Sequence, residues 1–186
     1  MSAATHGQSG AAVPVPRTST RAISSATVGR YTMAGLRLGM GWIFLWAFLD
    51  KLFGLSHDTL TKSAWIHGGS PTKGFLSTVA TGPFAGFYHS IAGAGWADWL
   101  FMLALAGIGV ALMAGIGMRI ATIAGVVLLV MMWSVVLPPA GNPFLDDHLI
   151  YAGLLVALLA LHAGDTLGLG RWWSHTPLVR RVPWLR

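Results

Sequence analysis

Four long apolar stretches punctuate this chain, and each is bounded by residues that end a helix or belong in water. The first, residues 31–53, closes on Asp50 and Lys51, and the second, 96–115, runs into Gly115 and Gly117. The third, 118–137, stops at Pro138 and Pro139, where missing amide donors and the restricted preceding residue halt a helix. The fourth, 147–167, opens on Asp146, Asp147 and His148. A spanning helix needs about 20 mostly apolar residues, so the pattern predicts an all-α integral membrane protein, a four-transmembrane-helix bundle. The connection 56–95 is too long and too apolar for an ordinary loop, carrying Trp65, Ile66, Phe75, Leu76, Phe84 and Phe87 among glycines and prolines. It predicts short helices lying at the membrane interface. Residues 1–29, rich in Ser, Thr, Ala, Gly and Pro, read as a disordered tail. Residues 30–170 form one membrane domain, and 171–186, with Trp172, Trp173 and Trp184, an interfacial tail.

Composition agrees: 54% of residues are apolar and 10% charged, where a soluble domain carries about a quarter charged residues. The placement of charge then orients the bundle. Arg17, Arg21, Arg30 and Arg37 precede or open the first stretch, Arg119 lies between the second and third, and Arg171, Arg180, Arg181 and Arg186 follow the fourth. The other side carries Lys51, Lys62 and Lys73 against Asp50, Asp58, Asp98, Asp146 and Asp147. Positively charged residues concentrate on the cytoplasmic side, which puts both termini inside and the 56–95 and 138–146 loops outside, in a multi-pass protein of the cytoplasmic membrane. The basic residues flank spans rather than forming one patch, so anionic lipid of the bilayer, not nucleic acid, accounts for the pI of about 10.6. Without cysteine, thiol chemistry and cysteine-ligated iron–sulfur or zinc sites are excluded on this chain, and a redox role needs a bound or borrowed cofactor.

Ionisable residues inside spans are costly and face protein or a cavity more often than lipid. In the first stretch the uncharged run between Arg37 and Asp50 is only Leu38 to Leu49, about 18 Å of helix. Arg37 and Lys51 share a face and can snorkel to opposite interfaces, whereas Asp50 follows Gly35 and Gly39, a small-residue line that predicts close helix approach and an inward carboxylate. His148, Tyr151, Leu155, His162 and Asp165 share one face of the fourth stretch. Asp147 suits the first turn of that helix, and Asp165 is placed to pair with Arg37 or Arg119 as a structural intramembrane charge. Haem requires two facing histidines and only His162 reads as deep, while the spacing of His67, His89 and His148 gives no metal-site pattern.

Three outer elements are expected at one depth: Asp50 with Lys51, the segment Trp65 to Ser70 containing His67, and Asp146 to His148. They predict a polar pocket under an aromatic lid. A quinone headgroup needs an apolar slot, donors for its carbonyl oxygens and a proton-exchanging carboxylate or imidazole. Asp50, Lys51, Trp65, His67 and Asp146 are candidates for binding, and Asp147 and His148 for proton exchange. An anion such as an oxidised sulfur species would instead use Lys51, Lys62, Lys73, His67 and the amides of the Gly68, Gly69 turn.

The run LRLGMGWIFLWAFLDKL, the loop AWIHGGSPTKGFL, the later GPFAGFYHSIAG and the helix entry NPFLDDHLIYA occur in this order along residues 31–170. Together they resemble the DoxX/DoxD family of small four-helix membrane proteins, through Arg37, Lys51, the 68–75 loop, Asp146, Asp147 and His148. The resemblance implies a subunit related to the large subunit of thiosulfate:quinone oxidoreductase, passing electrons from thiosulfate or another sulfur compound to a quinone with a separate redox subunit. The other reading is a non-catalytic membrane scaffold that recruits a redox or stress-response partner. Glycine-lined faces also suit a homodimer.

Overall fold

The computed structural model describes residues 24–185, and the basic residues Arg17, Arg21 and Arg186, with most of the predicted tail, lie outside that range. All regular elements among the described residues are helical. Helix α1 (Ser25–Phe53) begins at Ser25 rather than at the predicted Tyr31, because Ser24 caps it by accepting from the Thr27 amide. It ends where Gly54 takes a left-handed conformation and donates back to the Asp50 carbonyl.

The long connection contains two 3₁₀ turns, Thr61–Ser63 and Trp65–His67, and two short helices, α2 (Lys73–Thr78) and α3 (Ala85–Ile91). Helices α4 (Gly95–Ala114) and α5 (Met118–Val135) match the second and third predicted stretches closely. With α1 they are long and apolar enough to cross a membrane. Twenty residues of α4 rise about 30 Å, the thickness of a bilayer's hydrocarbon core.

The fourth stretch departs from expectation. Helix α6 (Asp147–Ala160) has 14 residues, about 21 Å of rise, and stops well short of Leu167. Leu161 closes the last turn, His162 turns left-handed, and a 3₁₀ turn, Ala163–Asp165, leads through irregular backbone to α7 (Gly170–Ser174) and α8 (Pro177–Arg181). Residues 161–167 include His162, Gly164, Asp165 and Thr166, so the apolar run itself ends near Leu161 and the predicted span extends past it.

The helices pack as two pairs, α1 on α4 and α5 on α6, with looser contact between pairs. Close approach within the first pair depends on Gly41 and Gly109: a Cβ on Gly41 would lie 2.9 Å from the Met113 amide, and one on Gly109 2.8 Å from the Leu45 amide. These glycines, not Gly35 and Gly39, make the helix contact; the latter two are exposed, with open space where a Cβ would sit. Phe44, Met102, Leu105, Leu112, Leu129, Leu155 and Leu158 form the shared core. A second cluster of Leu76, Ala80, Tyr88 and Val135 ties the outer connection to the end of α5, where the Tyr88 hydroxyl meets Ser134 and the Met131 carbonyl.

Arg37 closes the opposite end. It is fully buried, and its guanidinium donates to the carbonyls of Leu112 and Met113 (3.0 Å for the latter) and of Thr166 (3.4 Å) and Leu167 (2.8 Å). The snorkelling expected from sequence does not occur. Arg37 supplies a cation and donors to the C-terminal carbonyls of α4, where the helix dipole favours both. It also satisfies the irregular 166–167 backbone, which in an apolar surrounding has no water to bond. The guanidinium hydrogen bonds go to these four carbonyl oxygens. Asp165 sits against the start of α7, where a Cβ on Gly170 would come 2.7 Å from its Oδ1.

Candidate functional site

At the end of the bundle away from Arg37, the two helix pairs enclose a groove of about 1610 Å³ beneath the outer connection. Its apolar walls are Phe44 and Ala47 of α1, Leu100, Phe101 and Ala104 of α4, and Ala124, Val127, Leu128 and Met131 of α5. Its polar rim gathers Lys51, Lys62, His67, Ser70, Lys73, Asp147 and His148, with Tyr151 one turn below His148. Residues from all three segments that the sequence placed at one depth line this groove.

Their roles divide differently from the expectation. Asp50 is buried although the Gly35 and Gly39 line that suggested it is exposed; it accepts from the amides of His57 (3.3 Å) and Asp58 (3.1 Å) and is not part of the groove wall. It folds the chain back after Gly54 and leaves its neighbour Lys51, about 100° further round the helix, to face the groove. Trp65 also stands outside the wall, edge-on to Trp99 with ring centroids 4.6 Å apart, and packs on the main core. Asp146 caps α6 by accepting from the Leu149 amide and holds His148 Nδ1 at 2.6 Å. Asp147 lies 3.5 Å from the same nitrogen, with its side chain 66% exposed. The carboxylate that orients His148 is thus Asp146 rather than Asp147.

Two imidazoles of the rim are set in the same sense. A carboxylate or carbonyl only accepts, so the Asp146 bond places the proton of neutral His148 on Nδ1 and makes Nε2 the acceptor. His67 Nδ1 bonds the Thr61 carbonyl at 2.8 Å, with the same consequence. This is a second-group orientation of a base, of the kind that prepares an imidazole to take or give a proton.

The loop that carries His67 is organised by a residue the sequence reading counted only as an outer charge. Asp98, buried in the first turn of α4, accepts through one oxygen from the Ser70 hydroxyl (2.9 Å), the Thr72 amide (3.0 Å) and the Thr72 hydroxyl (2.6 Å). A carboxylate in the first turn of a helix, with hydroxyl residues in the preceding polar loop, was the available signal. Gly68 adopts φ +86° and a Cβ on Gly69 would overlap the Ser63 carbonyl, so the turn needs both glycines.

Asp146, Asp147 and His148 are also the grouping among the described residues that could offer metal ligands, one atom from each lying within 4.8 Å of the others. His67 and His89 do not join it. His162, expected to lie deep, is exposed at the end of α6. It lines a smaller pocket of about 310 Å³ at the Arg37 end, with Arg119, Asp165 and Trp173. The chain matches no family model, no curated protein and no solved structure.

Proposed function

We propose that this chain is a quinone-binding subunit of a membrane oxidoreductase, of the DoxX/DoxD type that its motifs resemble, with the groove as the quinone site. The observation that carries the reading is the joining, in one groove, of an apolar slot to Lys51, His67 and an Asp146-held His148. A quinone becomes a quinol by taking two electrons and two protons. Lys51 supplies a donor to one carbonyl oxygen, and the two oriented imidazoles exchange protons through Nε2, with exposed Asp147 connecting His148 to water. The electrons come from a sulfur compound such as thiosulfate, delivered by a separate redox subunit or docked at Lys62 and Lys73 on the same rim. In this reading α6 and the segment to Leu169 make a fourth crossing, both termini are cytoplasmic, and the groove opens outward in the cytoplasmic membrane.

The test is mass spectrometry of organic extracts from detergent-purified protein, comparing wild type with Lys51→Ala and His148→Ala. Near-stoichiometric quinone in wild type, lost in the variants, is the expected result; no quinone in any sample refutes the reading. A second reading, a scaffold for a redox partner, draws on the exposed Gly35 and Gly39 of α1, an open face onto which another helix could pack closely. A stoichiometric partner copurifying without quinone would favour it.

A further inference from the structure

The groove is far larger than a quinone ring requires. Pockets for whole drug-sized ligands run to about 1,000 Å³, and this one reaches about 1610 Å³. Polarity is also distributed unevenly along it. Charged and hydroxyl groups sit on the rim under the outer connection, while Phe101, Ala104, Ala124 and Leu128, further along α4 and α5, provide only apolar surface. Two of these are alanines, on the helices whose mutual packing is looser than that within either pair.

The slot is open at its side. Leu100 of α4 and Val127 and Met131 of α5 line the groove, yet they are 62%, 55% and 42% exposed. Exposure above half at Leu100 and Val127 means that no other element among the described residues covers the slot between α4 and α5 there. In a membrane such a gap faces acyl chains, so an apolar chain can lie across it without meeting water.

We infer that the gap between α4 and α5 is the lateral passage for the isoprenoid tail of the groove's ligand, the tail lying over Ala104 and Ala124 and emerging past Leu100 and Val127 into lipid. The inference rests on the quinone reading of the groove. Ala104 and Ala124 set the width of the slot and thereby select a tailed over a tailless ligand, while Lys51, His67 and His148 hold the ring.

The experiment measures binding of two ligands to the purified full chain in detergent: a quinone with a long isoprenoid tail and the same ring bearing only a methyl group. Benzoquinone and naphthoquinone pairs are both used. Wild type is expected to bind the tailed member more tightly in at least one pair. Ala104→Phe or Ala124→Phe should lower affinity for that tailed ligand by at least about tenfold, the effect of two or more methylenes leaving apolar contact. Affinity for the tailless ring should stay unchanged, which also reports an intact fold. Equal affinity of tailed and tailless ligands for wild type, or an undiminished tail advantage in both variants, overturns the passage while leaving the ring site standing. Failure of wild type to bind either ligand overturns the quinone reading, and the passage with it. If a variant loses both ligands together, Leu100→Trp at the rim of the gap decides: loss of the tail advantage alone supports the passage, and its retention refutes it.

Discussion

Replacing Arg37 with methionine tests whether this end of the helices is held by one guanidinium. Four buried or half-buried carbonyls, two ending α4 and two in the segment after α6, lose their donor at once. An acceptor left unpaired in an apolar surrounding costs about 1–3 kcal/mol. Against that sum, methionine fills much of the same space and removes the expense of burying a cation. Four such acceptors, less the relief from no longer burying a cation, leave an expected cost for Arg37→Met of about 3–5 kcal/mol. For a chain of this length each kcal/mol moves the Tm by about 2–4 °C, so thermal unfolding in detergent should shift down by at least about 6 °C. Arg37→Lys should be intermediate, because an ammonium is a compact point charge that does not reach both carbonyl pairs as a planar fork does. Arg37→Met within about 2 °C of wild type, or Arg37→Lys equal to wild type, would refute the argument.

Asp98→Ala leaves the Ser70 and Thr72 donors without their acceptor and should cost about 2–4 kcal/mol, with early proteolytic cleavage between residues 60 and 93 as the local readout. Gly109→Val pushes a side chain against the α1 backbone at Leu45, which cannot rotate away, and should lower stability by about 1–3 kcal/mol; a Tm equal to wild type would contradict the α1–α4 packing. Asp146→Asn keeps a cap for α6 but removes the nearer of the two carboxylates on His148, leaving Asp147 at 3.5 Å, so on the proposed quinone reading reduction should slow by at least about tenfold while the Tm changes little; unchanged reduction would remove Asp146 from the proposed proton path. Because the chain has no cysteine, single substitutions at Asp58 and Arg119 report topology cleanly. A membrane-impermeant maleimide applied to whole cells should label the first and not the second, and the reverse pattern would invert the bundle.

The all-helical class, three helices of spanning length and most of their ends were legible along the chain because they depend on local quantities. An apolar run of spanning length, a glycine free to turn left-handed as at Gly54 and Gly115, and the double proline at 138–139 act over a few residues, wherever the rest of the chain lies. The end of α6 is only partly local. Residues 161–167 carry helix-ending signs of their own in Gly164 and Asp165, but what bonds their backbone is remote: Arg37, more than a hundred residues earlier, donates to the Thr166 and Leu167 carbonyls.

Which polar side chains meet was decided by packing. Asp50 and Lys51 are adjacent in sequence and serve a loop and a groove, since a helix turns successive residues by about 100°. Asp98 lies 26 residues from Thr72, and their bond exists because α4 folds back beneath the connection it follows. Asp146, two positions from His148, had the proximity to orient it, but only the capped start of α6 fixed the side chains so that it rather than Asp147 makes the short bond. Hydrophobic pattern thus determined what this protein is made of, because burial of apolar surface is additive and non-directional. Hydrogen bonds are directional and short, so the partners of Arg37, Asp98 and His148 had to wait for the tertiary structure.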